Sequence, residues 1–171
     1  IQAGDVVLFD RYYASVWLFL VLEKIGADFV MRLNEKHWLS AKELIESNKD
    51  EQIVEFKVSP EHLPHLIKYG VPTTTIKCRL VRKKVGKSDL VLCTSLMKDT
   101  CDPEDIITLY GKRWGIEESY KFLKCRLDIQ NFTGKTPHAV LQDFHIKILL
   151  SNLLTVVTLE QELKIEDESK R

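Results

Sequence analysis

The apolar and polar positions alternate between two periods along the chain. Val6-Val7-Leu8-Phe9 is a fully apolar run behind Gly4-Asp5, the pattern of a central parallel strand with neighbours on both sides. Val16, Leu18, Phe19, Leu22 and Ile25 then recur at helical spacing up to Gly26, a helix-terminating residue, and Ala27 to Leu33 reads as a second strand. Strand, helix and strand in about 30 residues predict a βαβ unit and a sheet that is at least partly parallel. Ser40 with Glu43 three residues on predicts the N-cap of a short helix through Ile45.

Beyond Ser47 the texture changes. Gln52 to Val58 and Thr74 to Arg82 alternate apolar and polar, the latter with Ile76, Cys78 and Leu80 on one face and Lys77 and Arg79 on the other. Lys83 to Ser88 reads as a turn and Leu90 to Thr94 as a strand, so residues 47–98 are expected to form an antiparallel β insertion between α/β parts. Asp102 and Asp105, with Pro103 at N1, open one long helix expected to reach Leu127, and a last helix is expected from His138 to Leu159. The expected organisation is a first core part at 1–46, the insertion at 47–98, a last core part at 99–163, and a disordered polar tail at 164–171. The fold class is α/β.

Composition narrows the partners. Of 171 residues, 25 are basic and 25 acidic, so any polyanion site must be a local concentration of charge. Cys78, Cys93, Cys101 and Cys125 show no C-x-x-C pairing and the chain opens on no leader motif, which predicts an intracellular protein with free thiols. Ile146 to Val157 is apolar but shorter than the roughly 20 residues a bilayer requires, so it reads as a buried helix and no membrane partner is expected.

Candidate chemistry concentrates in "YGKRWGIEESYKFLK", residues 110–124. On one helix, Tyr110, Arg113, Glu117 and Lys124 fall within about 60° of arc, beside the stripe Leu109, Ile116, Tyr120, Leu123 and Leu127. An ordinary exposed i,i+4 pair between Arg113 and Glu117 would satisfy the same spacing and contribute about 0.3 to 0.5 kcal/mol. Asp10 weighs on the other side, because it stands at the carboxyl end of a buried parallel strand, where open α/β sheets place their ligand sites. A second concentration of charge is Lys77, Arg79, Arg82, Lys83, Lys84 and Lys87, on the predicted hairpin and its turn, where several phosphates could be engaged. His62-x2-His65 lacks the partners that would complete a zinc site.

The spacing Tyr-x2-Arg-x3-Glu-x6-Lys, with the upstream strand-terminal Asp10-Arg11, resembles the DDE transposases of bacterial insertion sequences, in the branch carrying that tetrad. The similarity extends from "VVLFDRYY" through "ADFVMRL" and "LVLCTSL" to "NFTGKTPHAVLQDFHIKILLSNLL". It implies a ribonuclease H-like core with a β insertion before the last catalytic helix. By the same resemblance Asp10 matches the second catalytic Asp and Glu117 the catalytic Glu, together holding Mg2+ or Mn2+, two ions in the complete family site. Tyr110, Arg113 and Lys124 match the residues that contact transposon-end DNA, and with them Lys77, Arg79, Arg82, Lys83 and Lys84 are expected to bind DNA.

The implied reaction is hydrolysis at the element end followed by attack of the freed 3′ hydroxyl on target DNA. Its expected partners are transposon-end and target DNA and a second copy in a homodimer, with no small-molecule substrate, in the bacterial cytoplasm. The family carries a further Asp on the first strand of the fold. The chain opens on the strand that ends at Asp10, and Asp5 lies roughly 16 Å away at its other end. The core is therefore expected to be incomplete at its N-terminus and the chain to lack one metal-binding Asp. Two other readings stand beside this one: a catalytically incomplete DNA-binding remnant, and a globular domain with no nucleic-acid role.

Overall fold

A computed structural model describes the backbone of residues 1–169 and the side chains through residue 159. The chain forms two compact units, Ile1–Arg113 and the segment from Trp114 onward.

The first unit is built on β1 (Val6–Phe9), α1 (Val16–Ile25), β2 (Asp28–Leu33), α2 (Leu39–Glu46), β3 (Glu51–Lys57), α3 (Leu63–Lys68), β4 (Thr75–Val85), β5 (Ser88–Thr94) and α4 (Pro103–Gly111). The expected βαβ unit is present. Gly26 ends α1 at φ 78°, in the left-handed region, and its N–H reaches the carbonyls of Leu22 and Glu23. β1 and β2 pair in parallel, Val6 opposite Asp28 and Phe9 opposite Met31.

Strands β3 to β5, expected as an antiparallel insertion, extend the sheet begun by β1 and β2. β5 pairs antiparallel with β2, giving one mixed five-stranded sheet in the order β1-β2-β5-β4-β3. β1 consequently lies at the sheet's end, paired only with β2 among the described residues, where its composition predicts a central position. The result is a mixed α/β architecture consistent with a ribonuclease H-like domain.

Alternation along β2 divides the packing between the two sheet faces. Phe29, Met31 and Leu33 join Phe19, Leu20, Leu22, Ala41, Leu44 and Leu66 in the larger core, while Val30 joins Val81, Leu92, Ile106 and Tyr110 in the smaller one under α4. Each fully buried Phe, Leu or Ile stabilises the unit by about 1.5–3 kcal/mol relative to exposure. α3 docks on α1 through a ring stack: Trp17 lies 4.8 Å from His65 with planes 20° apart, and 6.3 Å from Tyr69. His65 is thereby a packing residue.

Three local expectations change. α2 starts at Leu39, capped at Trp38, and Ser40 lies inside its first turn with a buried hydroxyl rather than at the cap. The long helix expected from Pro103 to Leu127 is two helices, α4 and α5 (Trp114–Cys125). At the break Lys112 and Arg113 donate to Leu109 and Tyr110, i→i+3 bonds that tighten the last turn, and Gly111 and Gly115 flank it as poor helix formers. The last helix, α6, runs Pro137–Ser169, so the polar tail expected from Lys164 is helical to residue 169; residues 170 and 171 lie outside the described residues.

The second unit joins α5 to α6 through residues 126–136. Two side chains of α6 hold that loop: Asp143 accepts from the Thr133 N–H at 3.2 Å, and the Lys147 ammonium donates to the carbonyls of Asp128 and Asn131 at 3.0 and 2.6 Å. The apolar side chains of α6 are not buried as expected, with Leu141, Ile146, Leu149 and Leu153 all exposed. By length and composition alone, Pro137–Leu159 is long and apolar enough to cross a membrane, since the apolar residues begin well before Ile146.

Gly134 packs closely against Ala139. A Cβ placed there would stand 2.3 Å from the Ala139 Cβ, so Gly134→Ala is expected to destabilise the loop by about 1–3 kcal/mol through overpacking. Amide hydrogen exchange checks this: residues 126–136 should exchange faster in the variant while the strands of the first unit keep their protection.

Candidate active site at the end of the first strand

Asp10 follows β1 directly. Side chains along an extended segment alternate, which puts Asp10 on the same face as Leu8, the face covered by α4. A single 3-10 turn, Arg11–Tyr13, fixes the carboxylate: the Tyr12 N–H donates to its Oδ1 at 3.1 Å, and the Tyr13 N–H donates to the Asp10 carbonyl at 3.0 Å. Its other oxygen, Oδ2, faces Arg113 Nη1 at 3.6 Å.

Tyr110 and Arg113 arrive from α4 and the break behind it. Ile106 and Tyr110, one turn apart, both turn into the core under α4. Tyr110 is only 7% exposed, and its hydroxyl makes no hydrogen bond of good geometry among the described residues. The Arg113 guanidinium stands 5.4 Å from its ring centre, within cation–π range. Burial pushes the Tyr110 phenol above its ordinary value. Arg113 opposes the shift, Asp10 adds to it and Arg32 opposes it. Tyr110 is therefore a neutral hydrogen-bond donor across the physiological range.

Asp10, Tyr110 and Arg113 thus form one group within the first unit. The i→i+3 turn bond at the break places Arg113 close behind Tyr110, so the grouping survives the loss of the continuous helix from which the spacing was read. Glu117 and Lys124 lie on α5, in the second unit, with Glu117 half-buried and Lys124 exposed.

Arg32 is a neighbour that the sequence reading missed. It shares the α4 face of β2 with Val30, its charge acts on Tyr110, and it makes no ion pair among the described residues. The alternation of "DFVMRL" was the available signal, because it sets Arg32 on the same face as Asp10 one strand over.

The basic hairpin is not the uniform cationic patch expected. Arg79 is 1% exposed, donates through Nε and Nη2 to the Glu51 carboxylate at 3.0 and 2.7 Å, and donates through Nη1 to the Cys101 carbonyl at 2.6 Å. It holds the fold together and cannot reach a phosphate. Arg82 is largely buried against Asp89 at 2.7 Å, and Lys83 pairs with Glu104 at 2.9 Å. Lys77, Lys84 and Lys87 remain exposed.

One carboxylate with an arginine against it does not make a metal site. Among the described residues no three His, Cys, Asp or Glu side chains gather as ligands, so the grouping around Asp10 does not by itself fit a divalent ion. What it can do is receive a phosphate, with Arg113 as a planar charged donor and Tyr110 as a neutral one.

The family model described as "Transposase DDE domain" matches residues 1–153. No curated protein and no solved structure gives a significant match. With a strand-terminal Asp, an arginine and a buried tyrosine collected on one face of a mixed sheet, and the family match covering most of the chain, the protein belongs to the DDE transposase family.

Proposed function

We propose that this domain holds the DNA backbone at the end of β1 and serves phosphoryl transfer at transposon ends, hydrolysis first and strand transfer to target DNA afterwards. The observation that carries the reading is the Asp10–Arg113–Tyr110 group. Transposases act on DNA, and the family generally uses divalent metal ions. Asp10 and Glu117 are the carboxylates proposed to hold Mg2+ or Mn2+, and Arg113, Lys124 and Tyr110 the contacts to transposon-end DNA, in keeping with the Tyr-x2-Arg-x3-Glu-x6-Lys branch. The described side chains do not by themselves complete a metal site. Lys77, Lys83 and Lys84 extend the proposed contact surface, and a homodimer on paired ends in the bacterial cytoplasm is the proposed context.

In this arrangement Asp10 has two effects on DNA. It neutralises Arg113 at 3.6 Å and it repels a phosphate itself. Asp10→Ala in metal-free buffer is therefore expected to tighten DNA binding a few-fold, while any cleavage of supercoiled DNA with magnesium or manganese disappears. Filter binding across a salt series and a nicking assay on the same preparations measure both. Binding that weakens on Asp10→Ala would contradict the placement of Arg113.

The second reading, a catalytically incomplete DNA-binding remnant, is favoured by the lack of a gathered ligand set among the described residues. DNA binding by the unsubstituted chain without metal-dependent nicking would select it. No binding at any salt concentration would reject both.

A further inference from the structure

The turn that positions Asp10 carries two tyrosines on its outside. Tyr12 is 84% exposed and Tyr13 61%. Their backbone is fixed by the two hydrogen bonds to Asp10, which roots both side chains beside the carboxylate. Tyr13 packs on Phe9 at a tilt of 45°, with ring centres 5.7 Å apart. Tyr12 makes no ring–ring contact among the described residues; its ring is met by the Arg11 guanidinium at 5.1 Å, whose Nη2 reaches the Tyr12 hydroxyl at 3.4 Å. Arg11 makes no ion pair with a carboxylate among the described residues. An exposed aromatic ring with a cation on one face, on the turn that carries the proposed phosphate site, suits a flat, electron-rich ligand joined to an anion.

We infer that Tyr12, with Arg11, is a stacking platform for the base of an unpaired nucleotide next to the phosphate held at Asp10, Arg113 and Tyr110. The inference rests on the DNA-binding reading above and adds a preference to it. A phenol ring stacks on a base only where the base face is open, and bases inside a duplex already cover one another. The platform should therefore favour DNA with unpaired nucleotides over blunt duplex. Tyr12 is a positioning residue here, since it touches the base and not the reacting phosphate.

The test compares the 171-residue chain with Tyr12→Ala and Tyr12→Phe. Three labelled DNAs are used: a blunt duplex, the same duplex with a short single-stranded overhang, and that overhang made abasic. Fluorescence anisotropy is read in metal-free buffer, and circular dichroism confirms that each variant is folded. Expected are tighter binding of the overhang than of the blunt duplex by the unsubstituted chain and by Tyr12→Phe, and a loss of about tenfold on the overhang alone for Tyr12→Ala, the scale of base–aromatic stacking. The abasic overhang should bind the unsubstituted chain no better than the variant does.

Equal binding of blunt and overhang DNA by all three proteins overturns the inference and leaves the DNA-binding reading standing. So does a Tyr12→Ala loss that is the same on every DNA. Tyr12-dependent self-association without DNA preference, seen by sedimentation, would assign the platform to a second copy and overturn it as well. Failure of the unsubstituted chain to bind any DNA removes both readings together.

Discussion

Glu51→Leu is expected to destabilise the first unit by about 3 kcal/mol, the low end for breaking a buried ion pair. Arg79 is the reason. With 1% exposure and two donors on the Glu51 carboxylate, it cannot turn to water when that carboxylate is removed, and only the Cys101 carbonyl remains to it. Glu51 keeps 20% of its side chain exposed, so some water reaches the vacated position and moderates the loss. Glu51→Gln preserves an acceptor and should lose less. Urea unfolding should show the midpoint falling at unchanged slope for both, in that order.

Lys98, by a hydrogen bond, and then Arg79 hold the Glu51 carboxyl below its ordinary value against the opposing effect of burial. A carboxyl whose folded pKa is depressed stabilises the fold fully above the ordinary glutamate pKa of about 4.3. That contribution is lost as pH falls through the lower folded value. The stability difference between the unsubstituted chain and Glu51→Leu should accordingly shrink on acidification below about pH 4.

Arg113→Ala is expected to weaken DNA binding about 10- to 100-fold, corresponding to a charge-assisted hydrogen bond worth about 1.5–3 kcal/mol. The plot of log affinity against log salt should become shallower by about 0.9 for the one phosphate contact removed. Arg113→Lys separates charge from shape. It should keep the salt slope, yet lose affinity, because an ammonium lacks the planar fork that spans two phosphate oxygens. A variant whose salt slope is unchanged by Arg113→Ala would place the phosphate elsewhere. Arg113 also restrains the upward shift of the Tyr110 phenol, so the same variant should titrate that phenol at higher pH in ultraviolet difference spectra.

How much of this was readable from residues alone differs by element. The β1–α1–β2 unit and the placement of Pro103 at N1 of α4 followed from periodicity and cap chemistry, both local signals. Asp10 was legible as a candidate because a strand end is a local feature too. The character of Arg79 was not. Alternation assigned it to the solvent face with Lys77, but the segment at Cys101 and the carboxylate of Glu51 close over that face, and both are distant in sequence. The split of the long helix at Lys112 and Arg113 had its cause in view, Gly111 and Gly115, yet single glycines inside a helical pattern are commonly tolerated. Arg32 was overlooked because its significance depends on β2 lying beside β1 with α4 across them, which no local pattern specifies.

The join between β2 and β5 has a kinetic corollary. β4 and β5 form a hairpin and β3 joins β4 through the short segment carrying α3, whereas Val30 meets Thr94 only after a loop of roughly sixty residues has closed, an entropic cost that precedes any contact it brings. Where the ladder runs out, Thr94 Oγ1 donates to the Phe29 carbonyl at 2.6 Å, and Ser95 Oγ accepts from the Phe29 N–H and donates to Asp28 at 2.7 Å. These hydroxyl bonds act as a clasp on the slowest-closing seam of the sheet. Loosening them should show first in the refolding rate.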